Sequence, residues 1–66
     1  MNPIIKLLKK PKFELFIDSV GEYRFRLVAP NGKIVLSSEG YTSRHGAKKG
    51  IRSIKRNAKK AKIVDV

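Results

Sequence analysis

The chain has no cysteine and a single histidine, His45, in 66 residues. Disulfides are thereby excluded, and neither the lone histidine nor the spacing of the carboxylates suits a metal site. A chain this short buries little surface and leans on a disulfide, a metal or a partner subunit for stability. With the first two gone, self-association is the device that remains. Long apolar runs are missing too. No stretch approaches the ~18 residues of a membrane span, and Lys6, Lys9 and Lys10 interrupt the one N-terminal segment that could pass for a signal-peptide core. These features predict a soluble, cytoplasmic protein. The lack of cysteine fits a reducing compartment but decides little by itself.

Acids are scarce. There are 5 Asp and Glu against 16 Lys and Arg, a net charge of +11. Such a charge repels itself in a compact fold, which points to an anionic partner that neutralises it. Solubility alone would be served better by added acids than by added Lys and Arg. The chain also lacks a P-loop, a Gly-rich dinucleotide motif and any nucleophile-base grouping, so we expect a non-catalytic protein with no cofactor, no metal and no small-molecule substrate. Asp18 and Glu22 flank a turn and read as solvated hairpin ends rather than as an acid pair. His45 opens the basic C-terminal segment, where an exposed, incidental histidine outweighs a phosphate contact.

The charge is segregated. Residues Met1 to Lys12 carry four Lys and no acid, Phe13 to Glu39 carry four acids and three bases, and Gly40 to Lys62 carry nine Lys and Arg and no acid. Function is therefore expected in the flanks. We divide the chain into a basic N-terminal extension (1–12), a folded unit (13–61) and a tail or short edge strand (62–66). Within the extension, Ile4, Ile5, Leu7 and Leu8 lie between lysines and suit one or two helical turns ended by Pro11.

The neutral middle alternates with a period of two. Phe13, Leu15 and Ile17 oppose Glu14, Phe16 and Asp18, and Tyr23, Phe25, Leu27 and Ala29 oppose Glu22, Arg24, Arg26 and Val28. Ser19-Val20-Gly21 has hairpin length and a glycine for positive φ. Asn31-Gly32 predicts a type I′ turn, and Lys33 to Glu39 supplies a third strand with Ile34, Leu36 and Ser38 on one face. Phe16, Val28 and Val35 would then stand exposed on the other face, covered by a partner subunit or by the N-terminal arm.

After Gly40-Tyr41 the period changes. Thr42 or Ser43 can cap a helix whose apolar stripe is Ala47, Ile51, Ile54, Ala58 and Ala61. At about 100° per residue, Arg44, Lys48, Lys49, Arg52, Lys55, Arg56, Lys59 and Lys60 fall opposite that stripe. Gly46, Gly50, Ser53 and Asn57 form a flanking strip of small residues, read as a close-packing surface. The predicted architecture is α+β: a three-stranded antiparallel meander with one amphipathic helix on one sheet face.

Phe13-Glu14-Leu15-Phe16, Gly21-Glu22-Tyr23-Arg24-Phe25-Arg26-Leu27, Asn31-Gly32 and Ser38-Glu39-Gly40-Tyr41 resemble the YegP-like family of small domains of unknown function. The helix continues the resemblance with Ser43, Gly46-Ala47, Gly50-Ile51, Ser53-Ile54-Lys55 and Asn57-Ala58. It implies a β-β-β-α unit occurring either as tandem copies or as one copy that pairs with itself, here a homodimer. It implies no activity, since fold alone does not carry one. The basic extension and the heavily basic helix depart from the typical pattern.

Lysines and arginines that neutralise phosphates gain affinity by releasing counterions, whatever the base sequence. Five Lys and three Arg on the helix favour backbone contact over reading of base edges. The expected ligand is structured RNA, including ribosomal RNA, ahead of DNA, bound by the eight helix cations together with Lys6, Lys9 and Lys10. Arg24 and Arg26 alternate as a groove-reading strand would need, but cross-strand pairing with Glu14, Glu22 or Glu39 is the simpler expectation. Phe13, Tyr23 and Phe25 share the inward face and are read as core rather than as a base-stacking platform. The alternative reading is a homodimeric protein-interaction module. Attachment to an anionic membrane through Ile4 to Leu8 is weaker, because the apolar segment is short.

Overall fold

The computed structural model describes residues 10–66, and the expectations placed on Ile4, Ile5, Lys6, Leu7, Leu8 and Lys9 lie outside them. Strands β1 (Lys12–Ile17), β2 (Tyr23–Val28) and β3 (Ile34–Ser37) precede one helix, α1 (Arg44–Lys60). The sheet is an antiparallel meander in the order β1-β2-β3. This is the predicted architecture.

Both hairpins use the same loop. The Gly21 N–H donates to the Asp18 carbonyl at 3.1 Å and the Asp18 N–H to the Glu22 carbonyl at 2.8 Å. Likewise the Gly32 N–H donates to Ala29 and the Ala29 N–H to Lys33, each at 2.8 Å. Gly21 and Gly32 have φ of 85° and 86°, and no other residue type among the described residues has positive φ. Each loop is thus a type I turn closed by a left-handed glycine. The type I′ turn expected at Asn31-Gly32 does not form. Pro30 presets the first central position of a turn, so the turn centres on Pro30-Asn31 and leaves only Gly32 left-handed.

In β1 and β2 the alternation holds. Phe13 faces Leu27, Leu15 faces Phe25 and Ile17 faces Tyr23, while Glu14 faces Arg26 and Phe16 faces Arg24. In β3 it breaks. Leu27 pairs with Leu36 but Val28 pairs with Ile34, so a bulge at Val35 moves Ile34 onto the face of Val28, away from Leu36. Val28 is 8% exposed rather than open, because it sits on the central strand between Lys12 and Ile34. Val35 is exposed as expected and Phe16 is half-buried. Beyond Ser37 the chain still bonds to β2: the Ser38 N–H donates to the Phe25 carbonyl and the Ser38 hydroxyl accepts the Phe25 N–H. Tyr41 then exchanges both backbone bonds with Tyr23.

Ser43, not Thr42, caps α1, its Oγ accepting the Gly46 N–H at 3.0 Å. The core lies beneath the first half of the helix. Phe25 is 1% exposed and Ala47 fully buried. Phe13 meets Phe25 edge-on at 5.9 Å, and Tyr41 stacks on Phe25 at 6.0 Å. The strip of small residues packs closely at its two glycines, Gly50 against Tyr41 and Phe25 and Gly46 against Tyr41, whereas Asn57 at its far end is exposed. The apolar stripe is only partly used. Ile51 and Ile54 are half-buried, but Ala58 and Ala61 are exposed. A helix of 17 residues spans about 25 Å and outruns strands of 6 residues, about 20 Å long. Residues 61–66 form no strand and are exposed throughout.

Candidate nucleic-acid interface

Lys55 lies over the Phe13 ring at 5.7 Å, and Arg44 lines a hollow with Leu15, Ile17 and Tyr23. The helix therefore runs antiparallel to β1 and parallel to β2, and its apolar stripe faces the sheet. The opposite arc is left to the cations. Arg44, Lys48, Lys49, Arg52, Lys55, Arg56, Lys59 and Lys60 are all exposed. They spread over an arc of about 160° and about 24 Å of helix axis. His45 falls inside the same arc and is also exposed.

Among the described residues there are three ion pairs, Lys12–Glu14, Arg24–Asp18 and Arg26–Glu14, and none involves a helix cation. Of the contacts among the described residues, only Lys55 has another engagement, with the Phe13 ring. Lys59 and Lys60 suit the negative end of the helix dipole, but Arg44 and His45 occupy a first turn without any acid. The dipole does not account for cations at both ends. The pairs Lys48 with Arg52, Arg52 with Arg56 and Lys55 with Lys59 repel each other at a spacing of four residues.

The sheet arginines are already engaged. Arg26 donates from Nε to Glu14 Oε1 at 2.7 Å, directly across the strands, and its guanidinium covers the Phe16 ring at 4.9 Å. Arg24 donates from Nε to Asp18 Oδ2 at 2.6 Å and from Nη1 to the Ser38 carbonyl at 3.0 Å. Cross-strand pairing thus uses both, with Asp18 as the partner of Arg24 in place of Glu22 or Glu39. Asp18 is more than a solvated hairpin end. Its Oδ1 accepts the N–H groups of Val20 and Glu22, since it caps the turn that β2 must enter. The Arg24 guanidinium, reinforced by the Glu22 N–H, holds the Asp18 carboxyl below its usual value, and Arg26 followed by Lys12 does the same for Glu14.

Not every candidate joins the helix face. Lys10 is exposed and lines a hollow on the opposite sheet face with Lys12, Glu14, Arg26, Val28 and Ile34. Lys12 stands on that face too, its Nζ 3.3 Å from Glu14 Oε2. One cation outside the candidate set extends the basic end of the helix, since Lys62 is exposed just past it. The charge count signalled Lys62. No group of three metal-ligating side chains occurs among the described residues, and no helix among them is long and apolar enough to cross a membrane.

Known proteins are similar to this chain in sequence and in fold. A UPF0339 protein of Methanosarcina acetivorans is 53% identical over 53 residues, 80% of this chain and 91% of the relative. The UPF0339 protein YegP of Escherichia coli is 48% identical over 46 residues, which cover 70% of this chain and 42% of YegP. A solution structure of a protein from Haloferax volcanii superimposes with a TM-score of 0.78 at 45% identity, covering 89% of this chain and all of that one. That of the Agrobacterium tumefaciens protein ATU0232 gives 0.70 at 51% identity over 83% of this chain and 89% of that one. Residues 18–65 match the model of the domain of unknown function DUF1508. The sequence identities, the superimposed folds and the match over residues 18–65 agree: the chain belongs to the DUF1508 family, that of the UPF0339 (YegP) proteins.

Proposed function

We propose that this protein is a non-catalytic binder of nucleic acid that contacts the phosphate backbone of structured RNA, including ribosomal RNA, through the outer face of α1. The observation that carries this reading is the contrast between the two sets of cations. Sheet arginines are neutralised by carboxylates, whereas the eight exposed helix cations have no acid beside them among the described residues. Phosphates spaced along a duplex supply the missing counter-charge, and released counterions supply the affinity. Four of the five aromatic rings are occupied elsewhere: Phe13, Phe25 and Tyr41 pack together and Phe16 lies beneath Arg26. That favours a helical backbone over single-stranded bases, which would need rings to stack on. The reading places the protein in the cytoplasm. Titrating isotope-labelled protein with an RNA hairpin tests it: amide shifts confined to Arg44 through Lys60 support it, and shifts on the sheet alone overturn it.

Self-association is a second reading, favoured by the small core. Only Phe25, Val28 and Ala47 are buried apolar residues among those described. A domain of this size gains stability by covering more apolar surface with a second subunit. Sedimentation at micromolar concentration separates one chain from two.

A further inference from the structure

The helix cations form two columns. At about 100° per residue, Arg44, Lys48 and Lys55 fall within about 40° of one another, and Lys49, Arg56 and Lys60 form a second group as narrow, about 120° further round. Each column runs about 16 Å along the axis, and at the surface of a helix 10–12 Å across the two stand about 10 Å apart. All six side chains are exposed, and none has a carboxylate partner among the described residues. Arg52 and Lys59 lie between the columns.

The sheet fixes how this arc can meet a ligand. The first column runs beside β1, where Lys55 lies over the Phe13 ring at 5.7 Å and Arg44 borders Leu15 and Ile17. The second column stands about 160° from the middle of the apolar stripe and so points away from the sheet. A ligand that touches both columns must approach over the β1 edge and come to rest against it. Helix α1 can then enter a groove by no more than about its own radius, 5–6 Å. The major groove of B-DNA is about 8.5 Å deep, so the helix would stop short of its floor. The deep groove of A-form RNA is too narrow for a helix, whereas its other groove is wide and shallow.

We propose that α1 lies in the wide, shallow groove of an A-form RNA duplex, with the Arg44, Lys48 and Lys55 column on the phosphates of one strand and the Lys49, Arg56 and Lys60 column on those of the other. The inference rests on the nucleic-acid reading above and names the shape that the helix face recognises. Two rows of phosphates border such a groove, and each column supplies the counter-charge for one row. Arg52 and Lys59, between the columns, face the groove floor, where 2′-hydroxyl oxygens accept hydrogen bonds from their N–H groups. Long cationic side chains placed there read the hydroxyls and the groove's shape rather than a base sequence. A single strand offers one row of phosphates and engages one column at a time.

Fluorescence anisotropy with the full chain tests the proposal. The ligands are a regular RNA duplex, a DNA duplex of the same sequence and one RNA strand alone, each titrated across a salt series. The proteins are the parent and two variants, Arg44→Gln/Lys48→Gln and Lys49→Gln/Arg56→Gln. The parent is expected to bind the RNA duplex most tightly. Both variants should weaken that binding alike, each with a log-log salt slope shallower by about 0.7–0.9 per cation removed. The single strand should show about half the slope of the duplex and keep its affinity in either variant, because the other column is intact. No binding of any ligand by the parent overturns both the nucleic-acid reading and this inference. Duplex binding weakened by one variant and untouched by the other overturns the two-strand grip and leaves phosphate binding standing. A DNA duplex or a single strand bound as tightly as the RNA duplex overturns the shallow groove. Should a variant unfold, the parent's ranking of the three ligands decides.

Discussion

The Tyr41 ring lies nearly parallel to that of Phe25, 6.0 Å away and inclined by 20°, and Gly50 of α1 closes over the pair. Tyr41 cannot retreat, since its backbone is tied to Tyr23 by two hydrogen bonds. A Cβ at position 50 would stand 2.9 Å from Tyr41 Cζ and 3.2 Å from Phe25 Cε2. Gly50→Ala gains about 1 kcal/mol of helix propensity but strains the only stacked aromatic pair among the described residues. Overpacking of this kind costs about 1–3 kcal/mol. Gly50→Ala should therefore be a net destabilisation of about 1 kcal/mol, read as a lowered urea midpoint with an unchanged slope. A raised midpoint would show that the helix can lift from the sheet.

Acid should weaken the fold in a defined window. Arg24 lowers the Asp18 carboxyl from its ordinary 3.8 and Arg26 lowers that of Glu14 from 4.5. A depressed value in the folded state means that the unfolded chain takes up the proton first as the pH falls. The stabilisation from these pairs is complete above 4.5, begins to fade as the pH drops through 4.5 and 3.8, and is gone below the lowered folded values. Thermal midpoints measured across this range should follow that course. Asp18→Asn should lower the midpoint at neutral pH and make the acid limb shallower.

The cation arc should be a cost to the free protein. Lys48, Arg52 and Arg56 form a row of like charges four residues apart on an exposed helix face, and each such pair costs a few tenths of a kcal/mol. Changing Lys48, Lys49, Arg52 and Arg56 to Gln should leave the domain as stable as the parent or more so, by up to about 1 kcal/mol. Lys55 is spared because it covers Phe13. Thermal melts at low salt check this, and they ensure that any loss of binding in the variant is not a loss of fold.

The elements legible in the sequence are those whose periodicity is carried by many residues. Five apolar helix positions and eight opposed cations place the face of α1 without any tertiary knowledge, and the strands from Phe13 and from Tyr23 alternate cleanly. What escaped depends on single residues or on contacts between elements. Pro30 shifts the second turn by one position and removes the type I′ geometry. The bulge at Val35 inverts Ile34 with no break in the run of apolar residues that would reveal it. Tyr41 falls between the strand and helix patterns, so neither period assigns it to the core. Asp18 reads as a turn residue, and its bond to Arg24 follows only once the hairpin closes. The family resemblance anticipated the membership and the β-β-β-α order, while the candidate interface rests on the charges of this chain.

Phosphate contacts to the outer face of α1 are the core of the proposed nucleic-acid binding. The direct measurement is the affinity for a structured RNA, with duplex DNA and an acidic protein as controls, across a salt series for the parent and for the variant with Lys48, Lys49, Arg52 and Arg56 changed to Gln. The parent should bind RNA at micromolar affinity or tighter. Its affinity should fall steeply with salt, with a log-log slope shallower in the variant by about 0.7–0.9 per contacting cation removed. Equal binding and equal slopes for parent and variant, or no binding by either at low salt, would contradict the proposed binding.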